Sequence, residues 1–280
     1  MTSTTASGRS TFAISVRLSP VLALLRRDTL IQVSYRLALG LDVFVGVLDV
    51  IVYYFISETF EGGTTASLGS APSYFAFALV GIAVTVVIQA AAVGIGTKVR
   101  EEQLTGTLEA LVAQPLRSTE LAAGLCGLPF FFSTLRVAIY LLLGSLAFGL
   151  DLSDTSWIGF FVMLVATAIS MSTIGIGTAA LVLVVKRGNA LSSLVIFAMS
   201  LAGGAFFPVS VLPDWLEAVG KAMPPRFAFD GFRDALYEGS GWMTDALVLA
   251  AFSIIALPLA VWLFDRGLRY ARRSGTLAQY

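Results

Sequence analysis

The chain has 280 residues, 57% hydrophobic and 13% charged, with a mean hydropathy of +0.85, whereas soluble domains carry about a quarter charged residues; this is the composition of an integral membrane protein. Eighteen basic and eighteen acidic residues cancel, so bulk charge points to no nucleic acid or acidic partner. With no histidine and one cysteine, Cys126, the chain has no His-ligated metal site, no His-based triad and no intramolecular disulfide.

At the N-terminus, TFAISVRLSPVLALL (11–25) is interrupted by Arg17 and Pro20 and runs into Arg26 and Arg27, not into a small-residue cleavage site, so it reads as a retained segment. Ser19 and Pro20 suit an N-cap and a first helical position. Val21, Leu22, Leu25, Thr29 and Val33 then share one face, with Arg27 opposite and Arg26 flanking. A helix lying in the membrane interface fits this pattern, and so does the polar start of a long first span.

A span needs about 20 mainly apolar residues. Six segments qualify: 35–56, 73–97, 121–149, 157–185, 191–212 and 243–264. The third and fourth exceed what a bilayer needs and are expected to tilt or protrude. Arg9, Arg17, Arg26 and Arg27 precede the first span and Arg36 stands at its start. Lys98, Arg100 and Arg117 follow the second, Lys186 and Arg187 the fourth, and Arg266, Arg269, Arg272 and Arg273 the last. The opposite loops carry Glu58 and Glu61, then Asp151 and Asp154, with no Lys or Arg; in the final one, acidic residues outnumber Lys221, Arg226 and Arg233. This asymmetry predicts cytoplasmic termini. The chain divides into an N-terminal region, 1–34, a transmembrane domain, 35–265, and a basic tail, 266–280.

Asp42 and Asp49 in the first predicted span and Arg136 in the third lie well inside their spans, where a charge costs about 2.5 kcal/mol or more at mid-membrane. The two aspartates are two helical turns apart and share a face. Two readings fit: an acidic stripe that faces a dimer interior and joins Arg136 in a transport route, or a structural ion pair with carboxylates near an interface.

Between the second and third spans lies REEQLTGTLEALVAQP (100–115). Leu104, Leu108, Leu111 and Val112 recur at helical spacing, predicting one amphipathic helix over 101–113. Glu101 and Glu102 would sit in its first turn, favoured by the helix dipole, and Pro115 would stop it. It suits docking to a soluble protein, and equally a connector with a solvated face. Before the last span, a helix is predicted over 214–223 with Trp215, Leu216 and Val219 on one face, closed by Pro224 and Pro225. Phe229, Phe232 and Leu236 continue at helical spacing to Gly239. These outer helices either dip into the membrane, where protein or a water-filled cavity must satisfy the backbone, or lie flat on it.

No GxxxxGK[ST] occurs around Lys98, Lys186 or Lys221, so no Walker A loop is present and the chain is not an ATPase. Gly94-Ile95-Gly96-Thr97 and Gly175-Ile176-Gly177-Thr178 read as small residues for close helix packing.

Glu101, Gly106-Thr107-Leu108-Glu109, Leu111 and Pro115 form an E…GTLE.L…P pattern. Phe207-Pro208, Pro213, Trp215-Leu216, Pro224-Pro225, Asp230, Arg233, Leu236 and Gly239 form a second. Together they resemble the ABC-2 type permeases, the membrane subunits of ABC exporters. The resemblance implies an all-α integral membrane fold: six transmembrane helices, an N-terminal interfacial helix, a cytoplasmic coupling helix at about 101–113 and short outer helices at about 213–239. Glu101, Glu102, Gly106, Thr107, Leu108, Glu109, Leu111 and Pro115 would couple to an ABC ATP-binding subunit that carries ATP and Mg; no cofactor would sit on this chain. A second permease chain, identical or not, is implied, and the cargo could be a drug, antibiotic, lipid or polysaccharide. Ala-, Gly-, Val- and Arg-rich usage with little Lys points to a bacterial cell membrane. The alternative is a membrane protein working without an ATPase: a proton-linked carrier using Asp42 and Asp49, or an intramembrane enzyme. Against these stand the lack of an inverted repeat and of a nucleophile and base pair.

Overall fold

The computed structural model describes residues 18–34, 36–60, 68–114, 118–184 and 188–273. Among them the regular structure is helical: α1 (Leu18–Ser34), α2 (Arg36–Phe60), α3 (Tyr74–Ala92), α4 (Gly94–Leu104), α5 (Leu108–Ala113), α6 (Ser118–Phe148), α7 (Trp157–Val184), α8 (Gly188–Ala202), α9 (Asp214–Ala222), α10 (Pro224–Arg233) and α11 (Trp242–Arg273). A 3₁₀ turn at Val209–Val211 precedes α9, and a π turn at Asp234–Glu238 follows α10.

Five helices are long and apolar enough to cross a membrane, in α2, α3, α6, α7 and α11. The fifth expected span, 191–212, is α-helical over only the first part of its length. α8 has 15 residues, a length of about 22 Å against a hydrocarbon core of about 30 Å. It stops because Gly203 and Gly204 follow, Gly204 in the left-handed region at φ +92°, and Pro208 cannot resume a helical ladder. α8 still returns the chain to the start of α3, where the Tyr74 hydroxyl donates to the Phe206 carbonyl at 3.1 Å. α6 and α7 overrun their apolar windows, Gly127–Phe148 and Trp157–Ala180, mainly at the end of the bundle that holds α4 and α5.

The hub is α3. Its apolar window is 83% buried, against 11% for α2 at the periphery. Its six alanines and single glycine permit this: a Cβ on Gly81 would lie 1.7 Å from the Ala205 carbonyl oxygen, and one on Gly175 of α7 would lie 2.6 Å from the Ala91 carbonyl oxygen. The Ser73 side chain caps α3 by accepting from the Ala76 amide at 3.1 Å. One apolar core surrounds α3; a second, smaller one at the α4–α5 end joins Leu24, Val99, Leu111, Leu121, Leu125 and Phe264. Leu37, Leu41, Phe44, Leu48 and Phe55 along α2 are exposed, an apolar surface suited to lipid or another chain.

Candidate functional site

The single helix expected over 101–113 is two helices. α4 ends at Leu104, Gly106 takes φ +72° with open space around it, and α5 begins at Leu108. Gly106 is thus a left-handed helix terminator, a conformation that other residues adopt with strain. Glu101 and Glu102 consequently occupy the last turn of α4, not the first turn of a docking helix, and the helix dipole opposes them there. Other groups hold them. Lys98 pairs with exposed Glu101 at 2.7 Å. Glu102 is buried, with its carboxylate bound by the Arg27 guanidinium of α1 and by the Thr107 hydroxyl at the head of α5. Arg27 also contacts buried Asp28 at 2.7 Å. Burial works against the Arg27 charge, but the hydrogen bonds to Asp28 and Glu102 outweigh it and raise the guanidinium pKa.

This knot ties α1, α4 and α5 together. Leu111 of α5 is buried beside Leu24 of α1, Val99 of α4, Leu125 of α6 and Phe264 of α11. α1 itself presses on α6 where glycines leave room: a Cβ on Gly124 or Gly127 would meet Leu24 or Leu25 within 2.6 Å. Its buried face therefore centres on Leu24 and Asp28, while Leu22, Thr29 and Val33 of the expected apolar face are exposed. The side chains of Leu108 and Glu109, and all of Pro115, lie outside the described residues. The Arg27 partnership was missed by sequence reading. The available signal was an arginine off the apolar face of one segment and a surplus carboxylate on another, both on the predicted cytoplasmic side.

The intramembrane charges divide. Asp42 and Arg136 form an ion pair at 2.8 Å, Asp42 being 61% exposed. Asp49, two turns further along α2, lines a cavity of about 680 Å³ walled by α2, α3, α4, α6 and α8. Arg136 lines the same cavity, as do Lys98 and Glu101 at its α4 end and Tyr53 and Phe206 at the other. The Tyr53 and Phe206 rings stack at 5.5 Å and 14°.

At the opposite end of the bundle, α10 is packed among α3, α7 and α11, and Phe229, Phe232 and Leu236 are buried. Pro224 and Pro225 open α10 as well as closing α9. In contrast, Trp215 on α9 is 70% exposed. Arg233, 2% exposed, donates to the carbonyls of Phe77 at 3.2 Å, Gly204 at 2.8 Å and Ala205 at 3.4 Å, and its guanidinium lies 3.5 Å from the centre of the Phe77 ring. The Gly204 and Ala205 carbonyls are freed where α8 unwinds, and buried carbonyls need donors. Burial pulls the Arg233 pKa down to about 10, against the pull of Asp230.

Compared with known proteins, the chain matches one family model, described as ABC-2 type transporter, over residues 21–237. No curated protein matches it.

Proposed function

The chain belongs to the ABC-2 type transporter family, and from that premise we propose that it is the permease half of an exporter driven by a separate ATP-binding subunit. Membership makes it a multi-pass membrane subunit for transport, in a family that generally works with an ABC ATPase and is not itself catalytic. Our reading adds outward transport, a dimer of permease chains, cytoplasmic termini and a bacterial cell membrane. ATP and Mg belong to the partner subunit in this reading.

Glu102 carries the proposal. A partner pressing on Thr107 and α5 acts through the Glu102 carboxylate on Arg27 of α1 and through α4 on α3, the most buried helix of the bundle. α1 lies in the membrane interface, with exposed Leu22, Leu30, Ile31 and Val33 towards lipid. Glu101, Gly106, Leu108, Glu109 and Pro115 complete the docking region, and buried Leu111 anchors α5 to the bundle. Closure of two ATP-binding subunits rocks the two permease chains between inward- and outward-open states. The cavity holding Asp49 and Arg136 is the cargo route, and Asp42 holds Arg136 at its wall. Drugs, antibiotics, lipids and glycans are the cargo classes for this reading.

The test is to co-purify the chain with its ATP-binding subunit and compare Glu102→Ala with wild type. Membrane insertion and ATP hydrolysis should persist while export falls. Unchanged export would remove Glu102 from the coupling path; export without any ATP-binding subunit would overturn the exporter reading.

A further inference from the structure

We propose that the cavity between α2, α3, α6 and α8 binds an amphipathic organic cation, with Asp49 as its charge partner. The proposal rests on reading this cavity as the cargo route and names the class of cargo.

Four charged residues line the cavity, and three are already committed. Lys98 and Glu101 satisfy each other at 2.7 Å. Arg136 is spent on Asp42 at 2.8 Å. Asp49 remains, exposed on α2, with no ion pair or side-chain hydrogen bond among the described residues. An unpaired carboxylate midway along a candidate span is costly, and a ligand cation relieves that cost.

The surroundings favour an organic cation over a metal ion. Tyr53 sits one turn from Asp49 on α2 and stacks on Phe206, while Phe132 of α6 and Phe197 of α8 present further rings to the same space. Aromatic faces attract cations and offer flat apolar surface. Ile82, Val86 and Leu128 add aliphatic wall. Nor is the lining purely apolar: Gln89 lies in the wall, and the Thr85 hydroxyl, in a side chain 8% exposed, has no protein hydrogen-bond partner. A buried hydroxyl without a partner costs about 1–3 kcal/mol, and together with Gln89 it makes this stretch of the α3 wall polar. At about 680 Å³, the cavity falls among pockets for drug-sized molecules, about 300–1,000 Å³. An anion would find both basic groups already neutralised and would face Asp49.

Two probes of the same size and aromatic surface but opposite charge isolate this claim: tetraphenylphosphonium and tetraphenylborate. Equilibrium dialysis against the full chain in nanodiscs, with empty nanodiscs subtracted, should give saturable binding of the phosphonium only. Asp49→Asn should weaken it at least tenfold, Asp49→Glu should retain most of it, and Tyr53→Leu or Phe206→Leu should weaken it severalfold. Asp154→Asn, remote from the cavity, should change nothing. Wild-type affinity in a folded Asp49→Asn protein, or preference for the borate, overturns the proposal. Folding is checked by gel filtration, and the Tyr53 and Phe206 variants serve as the test if Asp49→Asn fails it. ATP-dependent uptake of the phosphonium into inverted vesicles, with the ATP-binding subunit present, then separates the two claims. Binding without ATP-dependent transport leaves the site standing and sinks the exporter reading. ATP-dependent export of other compounds without phosphonium binding sinks the site alone.

Discussion

The two ends of the bundle use arginine in opposite ways. At the α4–α5 end, Arg27 meets carboxylates, Asp28 of its own helix and Glu102 of α4, from a partly exposed position, and Glu102 passes the contact on to Thr107 at the head of α5. At the α9–α10 end, Arg233 is buried; one guanidinium nitrogen donates to three backbone carbonyls while another stands 3.5 Å from the Asp230 carboxylate. Side-chain ion pairs near water are worth little individually and can be exchanged at little cost. A desolvated guanidinium that completes the hydrogen bonding of unwound backbone cannot leave without exposing those carbonyls. Under the proposed coupling, the first end is the one pushed and the second the one that holds.

The largest effect is therefore expected at Arg233. Arg233→Met should cost roughly 3 kcal/mol or more, because the Gly204 and Ala205 carbonyls lose their donor. Some offset comes from no longer burying a charge. Arg233→Lys should recover only part, since one ammonium cannot match a planar fork set over the Phe77 ring. Denaturation in detergent micelles measures both; a Met variant as stable as wild type would show that the carbonyls find other donors. Next in size, Gly81→Ala places a methyl group 1.7 Å from the Ala205 oxygen. Because the obstacle is backbone, the cost should reach about 2–3 kcal/mol by the same assay.

The α4–α5 end should respond differently. Glu102→Gln keeps an acceptor for Thr107 but discharges the contact with Arg27, itself about a third exposed. A stability loss of only about 1 kcal/mol is expected, with transport per ATP hydrolysed falling much further than stability. A Glu102→Gln protein destabilised as much as Arg233→Met would erase the distinction between a movable and a fixed end.

The extent to which this was legible follows from what periodicity can carry. α2, α3, α6, α7 and α11 announce themselves by long apolar runs, and the burial of Phe229, Phe232 and Leu236 follows from their helical spacing. The break at Gly106 was hidden because Leu104, Leu108 and Leu111 keep helical spacing across it; only a glycine in an otherwise good helical pattern marked the turn. The end of α8 was hidden for a related reason. Residues 203–208 stay apolar because they remain inside the protein, so hydropathy does not separate a span from buried irregular backbone that a distant arginine satisfies. The Arg27–Glu102 contact joins residues 75 positions apart, beyond any local pattern. The outward turn of Trp215 depends on what α9 meets, which its own periodicity does not state.

The smallest effect probes whether Asp234, next to the Arg233–Asp230 pair, acts as a further ion-pair partner. Asp234 follows Arg233 in the chain, yet its carboxyl hydrogen-bonds Ser70 instead. Burial first, then the neighbouring Glu238 and Asp230, raise its pKa above the ordinary value near 3.8, against the pull of Ser70 and Arg233. The folded protein therefore holds this proton more tightly than the unfolded chain, and stability falls as pH rises through the raised value. At neutral pH the ionised Asp234 is a cost, relieved on acidification towards the unfolded pKa. Asp234→Asn removes the charge and keeps an oxygen for Ser70, so at pH 7 it should stabilise the protein by less than about 1 kcal/mol, given solvent screening. The difference should shrink as the pH is lowered towards 4. A destabilised Asn variant at pH 7 would mean that Asp234, like Asp230, serves Arg233 as Glu102 serves Arg27, and the contrast between the two ends would narrow to the backbone carbonyls that Arg233 holds.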